Sequence, residues 1–201
     1  MLKLIIKELE HHVPFTIFGA ITGVLALFLC LNLPKGYSHI LFYTFHPMHV
    51  FLSAFVTASM YRLHKKNTNI ILLFVISFAG SIGIATISDS LIPFLGEKLL
   101  GMPHAHAHIG FIEEWWLVNP LAIIGIVAAC YFPSTKLPHA GHVLLSTWAS
   151  LFHILMAMSK SISFLIIVSI FFILFIAVWV PCCMSDIIFP LLFVRRPGDN
   201  L

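Results

Sequence analysis

His46 and His49 stand three residues apart in an apolar stretch, and the same spacing returns at His139 and His142. Imidazoles at i and i+3 share one helix face, and neutral imidazole is a strong ligand for transition-metal cations. The pairs sit in matching octets. His46-Pro47-Met48-His49-Val50-Phe51-Leu52-Ser53 and His139-Ala140-Gly141-His142-Val143-Leu144-Leu145-Ser146 agree at five of eight positions. Each pair is followed by an acid. Ser88, Asp89, Pro93 and Leu95 are echoed by Ser185, Asp186, Pro190 and Leu192, and Pro14 and Gly19 by Pro120 and Gly125. The matches are offset by 93, 97 and 106 residues, so the chain reads as one unit duplicated with small insertions. Two imidazoles and one carboxylate per unit suit a first shell around zinc, manganese or iron. His46, His49 and Asp89, with His139, His142 and Asp186, are the candidate ligands of a divalent transition metal.

The elements that must hold these groups are membrane helices. The chain has 201 residues, 60% apolar and only 9% charged, with mean hydropathy +1.02. A soluble domain carries roughly 25% charged residues. Six apolar segments approach the ~20 residues a helix needs to cross the hydrocarbon core. They lie near 13–34, 40–62, 70–95, 116–133, 139–159 and 162–194, the last overlong and divided at Pro181. Leu2, Ile5, Ile6 and Leu9 oppose Lys3, Lys7, Glu8 and Glu10, which predicts an amphipathic interfacial helix over 1–12. The acidic residues there oppose a cleaved signal peptide.

Basic residues near the spans set orientation. With both termini cytoplasmic, eight fall inside (Lys3, Lys7, Arg62, Lys65, Lys66, Lys136, Arg195, Arg196) and three outside (Lys35, Lys98, Lys160). Three crossings per unit force the second copy upside down. The expected fold is all-α, with six transmembrane helices as two inverted three-helix repeats, 13–95 and 116–194. A His-rich outer linker at 96–115 joins them and a tail at 195–201 follows. Inversion puts His46, His49 and Asp89 toward the outer face and His139, His142 and Asp186 toward the inner one. Loss of His142 should then spare the outer ion.

Other groups extend the candidate set. His104, His106 and His108, with Glu113 and Glu114, form a short His-rich tract that either gathers cations outside or is a solvated loop. His153 continues the stripe of His139, His142, Ser146 and Ser150. Cys182 and Cys183 either join the inner site and make it softer, or are small buried hydrophobes. His11 and His12 lie at the inner end of the first span and either complete that site or sit at the interface. Asp89 and Asp186 each precede a proline by four residues and have a capping role as the alternative to ligation. The Gly19 and Gly23 pair predicts close helix packing. Four cysteines without paired spacing predict no disulfide framework.

Inverted repeats with broken helices and intramembrane ionisable groups point to a secondary transporter for a divalent transition-metal cation, in the cell membrane. No phosphate-cradling Gly-rich motif is present, so a gradient or a separate subunit must supply energy. Two other classes account for parts of the pattern. A metal-dependent membrane enzyme would use the same ligands with an open coordination position. A b-type haem oxidoreductase would pair His49 with His153 and His142 with His11 or His12, but gives the repeated Asp no role. The partners expected are the bilayer and the ion, with no nucleic acid. Six short helices enclose little volume, which is compatible with a homodimer.

Overall fold

In the computed structural model, residues 2–65, 69–134, 136–158, 163–184 and 188–193 are described, without the side chains of 2–9, 11, 12, 35, 136–139, 183 and 191. Among them every regular element is helical: α1 (Leu2–Cys30), α2 (Lys35–His64), α3 (Ile70–Thr86), a π-helical turn (Ile87–Leu91), α4 (Ile92–Leu99), α5 (Gly110–Glu113), α6 (Trp115–Tyr131), α7 (Lys136–Ala157), α8 (Phe164–Cys183) and α9 (Phe189–Leu192). Five stretches are long and apolar enough to cross a membrane, and α6 is a shorter apolar helix of 17 residues. The molecule is inside-out relative to a soluble bundle. Phe18, Leu29, Ile70, Ile71, Phe164 and Leu165 are exposed, whereas Ser53, Thr57, Ser88, Ser146 and Ser150 are buried. This is the distribution of a multi-pass membrane protein, where lipid accepts apolar side chains and polar ones turn inward.

Three boundaries differ from the sequence expectation. The last span is not divided at Pro181, which lies inside α8 (Phe164–Cys183), because a proline removes one backbone donor without necessarily ending the helix. The 1–12 segment is not a separate interfacial helix, because α1 runs from Leu2 through Pro14 to Cys30 without a break. No glycine or proline interrupts residues 2–13, and Pro14 removes one backbone donor without ending the helix. The second helix begins at Lys35 rather than near 40, after Pro34, which has the extended φ and ψ of −57° and 143°. Its first turns are polar (Lys35, Tyr37, Ser38, His39), so hydropathy alone places the start too late. The earlier start carries His46 and His49 deeper into the bundle.

α2 is the central helix and packs against α7, α6 and α3, while α1 packs against α8 and α7. Small residues allow these approaches, as expected where packing rather than water exclusion drives association. A Cβ on Gly19 would sit 2.9 Å from Thr147 Oγ1 on α7, and one on Gly23 would sit 2.9 Å from Leu174 Cδ1 on α8. A Cβ on Gly125 of α6 would fall on the Phe51 carbonyl oxygen of α2 and 3.2 Å from Ala54 Cβ. Backbone cannot yield there as a flexible side chain can. Gly125→Ala is therefore expected to cost about 1–3 kcal/mol through overpacking. Thermal unfolding in detergent checks this; an unchanged midpoint would show that α6 does not sit so close to α2.

The π-turn has a local cause. Ile92 N–H bonds the Ile87 carbonyl, a five-residue step, and the next residue cannot follow because Pro93 has no N–H. That leaves the Ser88 carbonyl without its helical donor. Ser150 Oγ of α7 donates to it at 3.0 Å. The turn thus holds Ser88, Asp89 and Ser90, all buried, against α7. Met184 and Ile188 are also π-helical and lie 97 residues beyond Ile87 and Leu91.

Candidate metal centre

Asp89 organises the middle of the bundle. Its Oδ2 accepts from His46 Nδ1 at 2.9 Å and His49 Nδ1 at 2.6 Å. Its Oδ1 accepts from Ser88 Oγ at 2.6 Å and Ser146 Oγ at 2.8 Å. A carboxylate offers about four lone-pair sites, so these donors fill it. Asp89 neither caps a turn nor has a lone pair left for an ion in this arrangement. Its role is to hold both imidazoles with hydrogen on Nδ1, leaving Nε2 of each as the free lone pair. Carboxylates orient imidazoles in this way where the other ring nitrogen binds a metal.

His49 faces His142. Their rings stack with centroids 4.5 Å apart and planes 24° from parallel. Donor atoms of His49, His142 and Cys182, all buried, lie within 4.8 Å of one another. Ligands on a tetrahedral zinc sit about 2.0–2.3 Å from the metal and so about 3.3–3.6 Å from one another, which means that the three groups would have to draw together to close on one ion. The expected assignment of His46, His49 and Asp89 to one compartment and His142 to another is corrected here. α2 starts early enough to bring His49 level with His142, so their rings lie together and not toward opposite faces. A haem bridging from His49 toward α7 would need the space that the His142 ring fills.

Above this centre, on the side of the 100–109 linker, the polar groups continue. His153 Nδ1 donates to Glu97 Oε1 at 2.6 Å, and both are buried. His153 Nε2 accepts the His108 backbone N–H at 3.4 Å and lies 3.5 Å from Ser90 Oγ. The buried atoms His46 Nε2 and Glu97 Oε2 are among those with no hydrogen-bond partner among the described residues. A buried acceptor left this way costs about 1–3 kcal/mol, which an ion or water would recover. Gly110 of α5 closes over His46; a Cβ there would be 2.6 Å from His46 Nε2.

At the linker end, Glu113 binds three donors: Tyr43 Oη and His108 Nδ1 (3.1 Å) at Oε2, and Ile109 N–H (3.0 Å) at Oε1. Burial would raise its carboxyl, but the Tyr43, His108 and Ile109 hydrogen bonds outweigh it and hold the group below its ordinary 4.5. A depressed acid stabilises the folded arrangement above its unfolded value, and that contribution fades as pH falls through the lowered one. His106, His108 and Glu113 offer donor atoms within 4.8 Å of one another.

The remaining candidates are distributed as follows. His104 is exposed, and its backbone N–H bonds Ala157 O at 3.4 Å, so it stands apart from His106 and His108. Glu114 closes α5, its N–H bonding the Gly110 carbonyl. His11, His12, His139 and Cys183 lie on helices but their side chains are outside the description, and Asp186 lies outside the described residues. Glu97 and Tyr43 are hydrogen-bond partners of candidate residues that the sequence did not single out. Glu97 carried a signal: it lies four residues beyond Pro93 and eight beyond Asp89, on the same helix face. Tyr43 carried none. Comparison of the chain with protein-family models, curated proteins and solved structures gave no match.

Proposed function

We propose that this protein is a secondary-active permease for a divalent transition-metal cation, which crosses the bundle by way of His49, His142 and Cys182. The observation that carries the reading is the convergence of these three buried donors from α2, α7 and α8. Two borderline nitrogens and a soft sulfur suit zinc better than manganese. A run of imidazoles and carboxylates then leads toward the linker: His46 with Asp89, His153 with Glu97, and His108 with Glu113. An ionisable string of this kind is expensive inside a membrane and is characteristic of a substrate or proton path. Asp89 is already saturated, so it is poorly placed as the general base a membrane hydrolase would need.

The two-halves architecture belongs to this proposal. The repeat makes His49 and His142 equivalent, and these residues meet face to face. It also pairs Gly19 with Gly125 and Thr147 with Ala54. Gly19 abuts Thr147, and Gly125 abuts Ala54. Such matched contacts support two inverted three-helix units whose second helices meet at a pseudo-twofold axis, with the ion on it. Rocking about that axis would expose the centre to either side in turn. The basic-residue bias puts both termini in the cytoplasm.

Purified protein in liposomes loaded with a zinc-sensitive dye tests the reading. Wild-type vesicles should fill with Zn2+ faster than empty ones, and His142→Ala vesicles should fall to the empty-vesicle rate. Wild-type flux equal to that of empty vesicles would refute transport.

A further inference from the structure

The structure assigns a second cation site to the linker end of the bundle, formed by His106, His108 and Glu113, and we propose that it captures the divalent ion before the ion reaches the buried centre. The proposal rests on the permease reading for its role in transport, though not for binding itself. His106 and Glu113 are exposed and His108 is half-buried, so the site opens to water. The His106 and His108 rings have centroids 5.0 Å apart, and Glu113 supplies the single negative charge. Two imidazoles and a carboxylate form a nitrogen–oxygen set, harder than the buried one and suited to the same borderline divalent cations at lower affinity.

Its placement argues for more than a solvated loop. His108 touches the path directly: its backbone N–H bonds His153 Nε2, and the two rings are 5.4 Å apart. Two residues on, Gly110 lies against the edge of the buried His46 ring. The segment from His106 to Glu113 therefore covers the linker end of the path. What ties it to the bundle is the Tyr43 hydroxyl on Glu113 and the His108 N–H on His153 Nε2. A cation taking Glu113 and His108 Nδ1 must break the His108 Nδ1–H···Glu113 bond, with the ring proton passing through water to Nε2 so that Nδ1 has a lone pair to give. Capture at Glu113 would then compete with the Tyr43 bond that helps hold the cover.

Cobalt(II) titration of the full-length protein in detergent separates the two sites. Thiolate ligation gives a near-ultraviolet sulfur-to-cobalt charge-transfer band, and a nitrogen–oxygen site gives none. Wild type should bind two ions by equilibrium dialysis, only the tighter one with the band. His106→Ala, at an exposed position that will not disturb folding, should weaken the second ion at least about ten-fold and leave the band intact. Cys182→Ser should remove the band and keep the second ion. An unchanged binding curve in His106→Ala would overturn the proposal, as would loss of the same ion in both variants. A wild type with no band but a His106-dependent ion would sink the buried centre and leave the linker site standing. In liposomes, His106→Ala should raise the half-saturating Zn2+ concentration about ten-fold at an unchanged maximal rate. A fall in maximal rate with unchanged half-saturation would contradict a capture role.

Discussion

Asp89→Asn, although nearly isosteric, is expected to weaken the buried ion about 10–100-fold or more. The carboxylate accepts from both imidazoles and two hydroxyls, and an amide cannot accept at all four positions. An amide nitrogen turned toward His46 and His49 would present hydrogen to Nδ1 and force the ring proton onto Nε2. The lone pair needed by the ion would then be gone. An amide turned the other way would direct its N–H2 at Ser88 and Ser146, whose hydroxyls can reorient to accept. Binding would then fall less, but a neutral oxygen makes a weaker partner for two imidazoles than a carboxylate. Zinc affinity measured by competition with a chelator of known strength decides the matter. Wild-type affinity in Asp89→Asn would mean that Asp89 does not orient the ligands.

The second large effect concerns His49 and His142. If each half held its own ion, their alanine variants would act independently. With the rings stacked 4.5 Å apart, the proposed centre would instead hold one ion shared by both. His49→Ala and His142→Ala should each remove the same tightly held zinc, and the double variant should lose no further ion. Residues that act on one ligand are not additive, so the coupling energy should be large. Metal content by elemental analysis reads this directly. If the double variant lost two ions where each single variant lost one, the shared centre would be wrong.

The sequence carried most of the chemistry in residue types and intervals. His46, His49 and His142 stood out because they recur in matching octets, and His153 because it continues a helical stripe. All four are buried, three of them bound to carboxylates. Depth was not legible. It depended on where α2 begins, and polar residues at Lys35–His39 hid that start from any hydropathy window. Nor was the division of labour between ligand and orienter. Asp89 and Cys182 each looked like one candidate among several, and only the count of donors around Asp89 separated their roles. Glu97 was missed because one acid at the end of an apolar run reads as an interfacial anchor until its partner across the bundle is known. α1 was cut too early because its first turns are amphipathic while the backbone continues unbroken to Cys30.

The central claim is that a transition-metal ion sits between His49, His142 and Cys182. Zinc-edge X-ray absorption of the His106→Ala protein, loaded with one zinc per chain so that the linker site contributes little, addresses it most directly. The account predicts one sulfur at about 2.3 Å together with imidazole nitrogens at about 2.0–2.1 Å, the sulfur vanishing in the added Cys182→Ser variant. A shell of nitrogen and oxygen alone, unchanged by that substitution, would contradict it.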